Sequence, residues 1–257
     1  MAGSTLHREV QGICRQQVYV WELPVRLFHW INAISITVLF VTGFYIGDPF
    51  NWGLGEATRN FLMGTMRYWH GLFAFIFTAN LLVRLYWFWP GNEYSKMKLW
   101  RRSFWKDALA TFKYYSFITR EHTVYLGHNA LAQLMYFFFV WVAGGFMILT
   151  GFAMRGGSNP EGIWQKLLGW LAPAFRGEYQ IRNLHHLFAW GFAVFLLGHL
   201  YMVLRQDLLD DDGTVSSIIN GYKFELVVAE SPSLQEQPEE STQGSTQESP
   251  ENHLTKE

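Results

Sequence analysis

Apolar residues gather in four long runs separated by mixed segments, and the length of those runs sets the first expectation. A helix rises about 1.5 Å per residue and the hydrocarbon core of a bilayer is about 30 Å thick, so about 20 apolar residues cross it. Leu27 to Ile46 carries no Asp, Glu, Lys or Arg, Trp69 to Trp89 carries only Arg84, and Leu131 to Phe152 and Leu184 to Leu204 carry none. The pattern predicts four spanning helices, over 27–46, 69–89, 131–152 and 184–204. Outside them, Phe104, Ala108, Leu109, Phe112 and Tyr115 recur at helical spacing with Lys106, Asp107 and Lys113 off the stripe. That predicts an amphipathic helix along the inner membrane surface, although packing against the bundle would produce the same stripe. From Ser231 onward the chain is Ser, Gln, Glu, Pro and Thr with almost no apolar residue, so residues 227–257 are expected to form a disordered cytoplasmic tail. No internal repeat of 20 to 50 residues is evident. The fold class expected is an all-α membrane protein, a four-helix transmembrane bundle occupying residues 1–226.

Composition agrees and removes several function classes. Of 257 residues, 50% are hydrophobic and only 16% charged, against roughly a quarter charged in a soluble domain. The formal net charge of −1 supplies no bulk attraction to nucleic acid. The single cysteine, Cys14, cannot form a disulfide within the chain, a CxxCH haem attachment or a thiolate cluster, which leaves histidine to hold any metal. No apolar run precedes Trp21, so no cleavable signal is expected. The N-terminal segment and the loop between the second and third spans together hold ten Lys and Arg, the other two loops six. The positive-inside rule then places both termini in the cytoplasm, with the protein in the inner membrane.

Histidine within a span loses water and must find a partner, which makes it a functional candidate. His185 and His199 are 14 residues apart in the fourth span, about 1400° of rotation, so they share a face at two depths about 21 Å apart. His186 points away from His199. His29 begins the first span at the depth of His199, and His70 begins the second, entered from the opposite side, at the depth of His185. Two pairs of neutral imidazoles at two depths suit two porphyrin irons with both axial positions filled, the arrangement of a dihaem b-type cytochrome that carries electrons and makes no bonds. The metal ligands expected are His29, His70, His185 and His199. Arg26, Arg67 and Arg182 each stand three residues before one of these histidines, where they could neutralise haem propionates or simply snorkel. Arg84 lies deeper in the second span, and the tryptophans near span ends fit an aromatic belt. A haem-free four-helix anchor or transporter, its histidines bridging helices or relaying protons, is the rival reading.

The segment Gly127-His128-Asn129-Ala130-Leu131-Ala132-Gln133 and the run from Gly198-His199-Leu200-Tyr201 to Arg205-Gln206-Asp207 resemble the b-type cytochrome subunit of membrane-bound nickel–iron uptake hydrogenases. So does Val215 to Lys223, ending Asn220-Gly221-Tyr222-Lys223; Ala130 stands where the family pattern has proline. The resemblance runs from about Val18 to Phe224. It implies a hydrogenase small subunit with iron–sulfur clusters and a large subunit with the nickel–iron centre as partners, two b-type haems as cofactors, and quinone as electron acceptor. It implies an outer haem on His70 and His185 and an inner one on His29 and His199. The chain alone would have no activity toward hydrogen. The gamma subunit of formate dehydrogenase is similar, and a cytochrome subunit of that enzyme or a related oxidoreductase is the alternative. Quinone reduction needs polar groups near the inner haem; His128 and Asn129, at the start of the third span, are the best placed. The resemblance gives Asn129 a quinone carbonyl to bind, while an Asn at a helix start also caps it.

Overall fold

The computed structural model describes residues 13–49, 61–120 and 125–228. The tail from residue 229 and His7, His122 and His253 lie outside the described residues. Residues 15–225 form one compact unit, described below. Of the other unit, residues 1–14 with 226–257, only the outer ends of two strands are described.

In chain order the elements are strand β1 (Ile13–Tyr19), helices α1 (Leu23–Gly47), α2 (Leu62–Trp87), α3 (Arg102–Tyr115) and α4 (Ala130–Tyr136), a π-helical segment (Phe137–Ala143), helices α5 (Gly144–Gly157), α6 (Ile163–Leu168), α7 (Leu171–Ala174), α8 (Glu178–Asp210) and α9 (Thr214–Asn220), and strand β2 (Tyr222–Val228). Helix α4, the π segment and α5 run on as one 28-residue helix, Ala130–Gly157. Among the described residues the architecture is therefore mostly helical, with four long helices. The all-α expectation needs one correction, because β1 and β2 pair into a two-stranded sheet. Seven-residue strands escape a search tuned to runs of about 20 apolar residues.

Three of the long helices outrun their predicted spans at both ends, whereas α2 starts earlier, at Leu62, and stops at Trp87, short of the predicted Trp89. The fourth, expected over 184–204, spans Glu178–Asp210 because polar residues extend the same hydrogen-bond ladder at both ends. Three of the four, α1, Ala130–Gly157 and α8, are long and apolar enough to cross a membrane. Helix α2 is equally long at 26 residues, but Asn80 and Arg84 dilute its average hydropathy. Those two side chains are buried, at 7% and 4% exposure, so the outward surface of α2 is more apolar than its sequence mean. Leu187, Val194, Leu197, Leu204 and Leu208 on α8 stand more than half exposed. Leaving such a side chain in water forgoes about 1.5–3 kcal/mol; a helix-long stripe of them is the surface of a membrane protein.

Antiparallel neighbours follow from the contacts. Asn80 Nδ2 donates to the Phe28 carbonyl at 3.0 Å while Thr42 meets His70, so α1 and α2 run in opposite directions. Phe139 stacks on Phe195 at 4.1 Å between centroids and Phe146 meets Phe188 at 4.5 Å, which sets the 130–157 helix antiparallel to α8. The π segment, a type of irregularity that clusters at functional sites, carries Phe139 into that stack. Phe195 in turn stacks on His199.

Helix α3 turns Phe104 and Ala108 inward against Ala130, with Leu99 and Leu134 around them. Trp105, Leu109 and Phe112 remain exposed. Two of the five residues of the predicted stripe thus pack on the bundle while Leu109 and Phe112 face outward, so α3 carries apolar residues both toward the bundle and away from it.

A clasp of short elements holds the start of α1. Gly221 adopts φ +93°, and a Cβ there would lie 2.6 Å from the Tyr19 ring and 2.8 Å from the Trp21 carbonyl oxygen. Its own carbonyl accepts from Val20 N and Trp21 N at 2.9 and 3.1 Å. Trp21 Nε1 donates to Ser217 Oγ at 3.1 Å and Trp30 Nε1 to the Ile218 carbonyl at 3.3 Å. Lys223, 3% exposed, donates to Asp212 Oδ2 at 2.7 Å and to Thr214 Oγ1 at 2.8 Å. Glu22 reaches the other way, accepting from Trp87 Nε1 and Asn92 N at 3.0 and 3.1 Å. The Asn220-Gly221-Tyr222-Lys223 segment is thus the hinge of a structural clamp.

Candidate functional site

Among the described residues no group of three or more His, Cys, Asp or Glu is placed to hold a metal ion. Histidines meet instead in twos. The rings of His70 on α2 and His185 on α8 lie 6.5 Å apart between centroids, with planes at 58°. Those of His29 on α1 and His199 on α8 lie 6.2 Å apart, at 48°. A metal–imidazole bond of about 2.0–2.1 Å on either side, with each ring centre about 1 Å beyond its nitrogen, separates two trans imidazoles by about 6–6.5 Å between centroids. Both pairs therefore have the separation that one ion gripped between them requires. With only two protein donors at each, the equatorial ligands would have to come with a cofactor, which is what a porphyrin does.

At the His70/His185 pair, one nitrogen of each ring is occupied. His70 Nδ1 lies 3.0 Å from Thr42 Oγ1, and His185 Nδ1 lies 2.8 Å from Thr150 Oγ1. The backbone at both threonines is followed by glycine. A Cβ on Gly43 would stand 3.0 Å from His70 Cε1, and one on Gly151 3.4 Å from His185 Cε1. His186 packs on Gly47, where a Cβ would meet its ring at 2.8 Å, so it belongs to neither pair. Thr42 and Thr150 were not among the candidates drawn from the sequence. The signal was available: Thr42-Gly43-Phe44 and Thr150-Gly151-Phe152 repeat one tripeptide in two spans. At three residues it is far shorter than a structural repeat of 20 to 50.

The His29/His199 pair sits in different surroundings. His29 Nδ1 is buried without a hydrogen-bond partner among the described residues. Arg84 lies over the ring of Phe28, next to His29, at 5.9 Å, and its Nε donates to Tyr136 OH at 2.7 Å. His128 bridges toward the clamp, its ring 6.0 Å from Tyr136 and 4.7 Å from Trp21. His128 is exposed as a residue, while its ring is partly enclosed by Trp21 and Tyr136. That burial, then the charge of Lys223, with His199, Arg84 and His29 adding to it, pushes its pKa down to about 4. His128 is thus a neutral imidazole at ordinary pH.

Asn129 caps the third long helix: its Oδ1 accepts from Ala132 N at 2.8 Å and its Nδ2 donates to Tyr115 OH at 3.2 Å. One amide hydrogen is left. Of the three arginines, Arg26 donates through Nη1 to the Ile219 carbonyl, tying it to α9, while Arg67 and Arg182 are exposed near the His70/His185 pair.

Known proteins match this chain over the same region. The profile of the family described as prokaryotic cytochrome b561 matches residues 20–221. A probable Ni/Fe-hydrogenase B-type cytochrome subunit of Cupriavidus necator is 40% identical over 210 residues, covering 80% of this chain and 86% of that protein. The corresponding protein of Bradyrhizobium diazoefficiens is 38% identical over 220 residues, 83% of this chain and 88% of its own length. The probable Ni/Fe-hydrogenase 1 B-type cytochrome subunit of Escherichia coli K12 is 35% identical over 212 residues, 80% and 90% of the two chains. With the match extending over most of its length, the chain belongs to the prokaryotic cytochrome b561 family.

Proposed function

We propose that this protein is the membrane anchor and electron-transfer subunit of a nickel–iron hydrogenase, taking electrons from the partner's iron–sulfur clusters through two b-type haems to quinone. The observation that carries the reading is the two imidazole pairs at opposite ends of one bundle, 6.5 and 6.2 Å between centroids. The relatives' names add the hydrogenase partner. On this reading α2 is the fourth span, its polar residues turned inward, both termini are cytoplasmic, and the complex sits in the inner membrane.

A haem at each pair would supply an iron that gains and loses one electron with no ligand exchange. The chain's own residues do the rest. His70 with His185, and His29 with His199, would grip the two irons 14 residues apart along α8, about 21 Å of helix. Arg67 and Arg182 at one end and Arg26 at the other stand ready for propionate carboxylates. Neutral His128, with the spare amide hydrogen of Asn129 and the hydroxyl of Tyr115 behind it, would line the quinone pocket beside the His29/His199 pair and hold a carbonyl by hydrogen bond.

Haem content by pyridine haemochrome tests this directly. Two haems per chain are expected in the wild type and one in either H185A or H199A. A folded wild-type protein that stays colourless with ample porphyrin, or a variant that keeps both haems, would refute the assignment.

A further inference from the structure

The two threonines beside the His70/His185 pair carry more than packing. A threonine hydroxyl has one hydrogen. Thr42 donates its hydrogen to the Val38 carbonyl at 2.6 Å, and Thr150 donates its own to the Phe146 carbonyl at 2.7 Å. With the hydrogen spent on the helix backbone, each oxygen can only accept from the imidazole nitrogen it touches. His70 and His185 are therefore assigned as Nδ1–H donors, which leaves the Nε2 lone pair of each free for a metal. An Nδ1–H engaged in this way makes an imidazole a stronger electron donor to iron and favours the oxidised metal. No such bond exists at His29, whose Nδ1 lacks a partner among the described residues. Arg84, a buried cation beside Phe28, adds positive potential at that end and favours the reduced metal.

We propose that Thr42 and Thr150 are paired positioning residues: each accepts the Nδ1–H of one imidazole of the His70/His185 pair, locking both as Nε2 ligands and setting a haem held there at a lower midpoint potential than one held by His29 and His199. The inference rests on the dihaem reading above and gives it a direction, because electrons arriving at the His70/His185 end would then run downhill to the other. The two halves of the His70/His185 site are built alike. Thr42 and Gly43 on α1 face His70 on α2, and Thr150 and Gly151 on α5 face His185 on α8, so each helical hairpin contributes the same threonine–glycine–histidine unit.

The experiment is an optical redox titration of the purified full-length protein and its variants. Two resolved midpoints are expected in the wild type. In T42V and T150V the lower midpoint should shift positive while the upper one stays in place, and T42S and T150S should restore it. Equal midpoints in the wild type, a shift of both haems together, or serine variants that behave like valine would overturn the proposal. H199A serves where the valine variants lose the haem: the haem it retains should titrate at the lower midpoint, and titration at the upper one would overturn the proposal equally. A colourless wild type sinks the dihaem reading itself, whereas a two-haem protein indifferent to T42V and T150V sinks only this one.

Discussion

The two histidine pairs are alike in spacing but differ in what supports them. At the His70/His185 end, the contacts that hold the rings come from the long helices, as threonines one helix away touch each Nδ1 and the following glycines make room. At the His29/His199 end the supporting residues come largely from outside the long helices. Trp21 precedes α1, His128 precedes α4, α9 accepts from Arg26 of α1, and Lys223 lies in β2. One site is fixed by helix register alone and the other by a clasp of connecting segments. On the proposed reading the first receives electrons at constant geometry. The second has a His29 Nδ1 without a partner among the described residues and a neutral imidazole beside it, and on the same reading it is the end that takes quinone.

That contrast breaks most readily at the clasp. Lys223 and Asp212 are both buried, 3% and 4% exposed, and joined at 2.7 Å. Removing one partner of a buried pair costs about 3–5 kcal/mol, because the other charge is stranded. K223M should therefore lower the melting midpoint in detergent markedly and weaken the electron paramagnetic resonance signal of the His29/His199 site while sparing the other. Combining it with D212L should recover much of the loss, since no charge is then stranded. Equal damage to both haem signals in K223M would erase the distinction between the ends. Next in size is crowding at the opposite end. G43A places a methyl group 3.0 Å from His70 Cε1 and G151A one 3.4 Å from His185 Cε1. Overpacking of this kind costs about 1–3 kcal/mol, and G43A should be the more damaging. Measured haem retention should fall in that order, with the His29/His199 haem unaffected.

What could be read from the chain follows the same division. The 3.6-residue period places His185 and His199 on one face, and the structure has them in one unbroken helix. Periodicity was legible because burial along a helix repeats. The threonine contacts were not, because they join residues 28 and 35 positions apart whose types are unremarkable in a span. The π segment was hidden too, since Phe137–Ala143 is apolar on every side and no pattern marks an added residue in the turn. For the clasp, the Asn220-Gly221-Tyr222-Lys223 motif was visible as a resemblance while its task was not. Only the fold shows Gly221 against Trp21 and Lys223 buried on Asp212. Asn129 was legible in both of its readings. The structure shows the cap, and the quinone contact stays with the proposal.

Asn129 allows a smaller and more discriminating test. Loss of an N-cap costs about 1 kcal/mol, so N129A should shift the melting midpoint modestly. N129D keeps the oxygen that accepts from Ala132 N and should restore stability, but it has no amide hydrogen to offer a quinone carbonyl. A variant that melts like the wild type yet binds quinone more weakly, read as a raised KM for quinone, would assign the residue both roles. Unchanged KM would leave it a cap.

The smallest expected effect is a slope. Burial holds the His128 imidazole at a pKa of about 4, against 6.5 for the unperturbed group. Above pH 6.5 the ring is neutral whether the chain is folded or not, and it adds nothing to the pH dependence of stability. Between about 6.5 and 4 the unfolded chain binds a proton that the folded chain refuses, so stability falls as pH falls, and the loss levels off below 4. Water reaches part of the ring, which tempers the size of this contribution. H128F keeps an aromatic ring beside Trp21 and Tyr136 but cannot titrate, so its melting midpoint should decline less steeply than that of the wild type over this interval. Parallel declines would mean that His128 takes up its proton as readily in the folded protein as out of it. The site beside His29 and His199 would then be wetter and more polar than its surroundings imply, and the contrast between the two ends would narrow to their threonines alone.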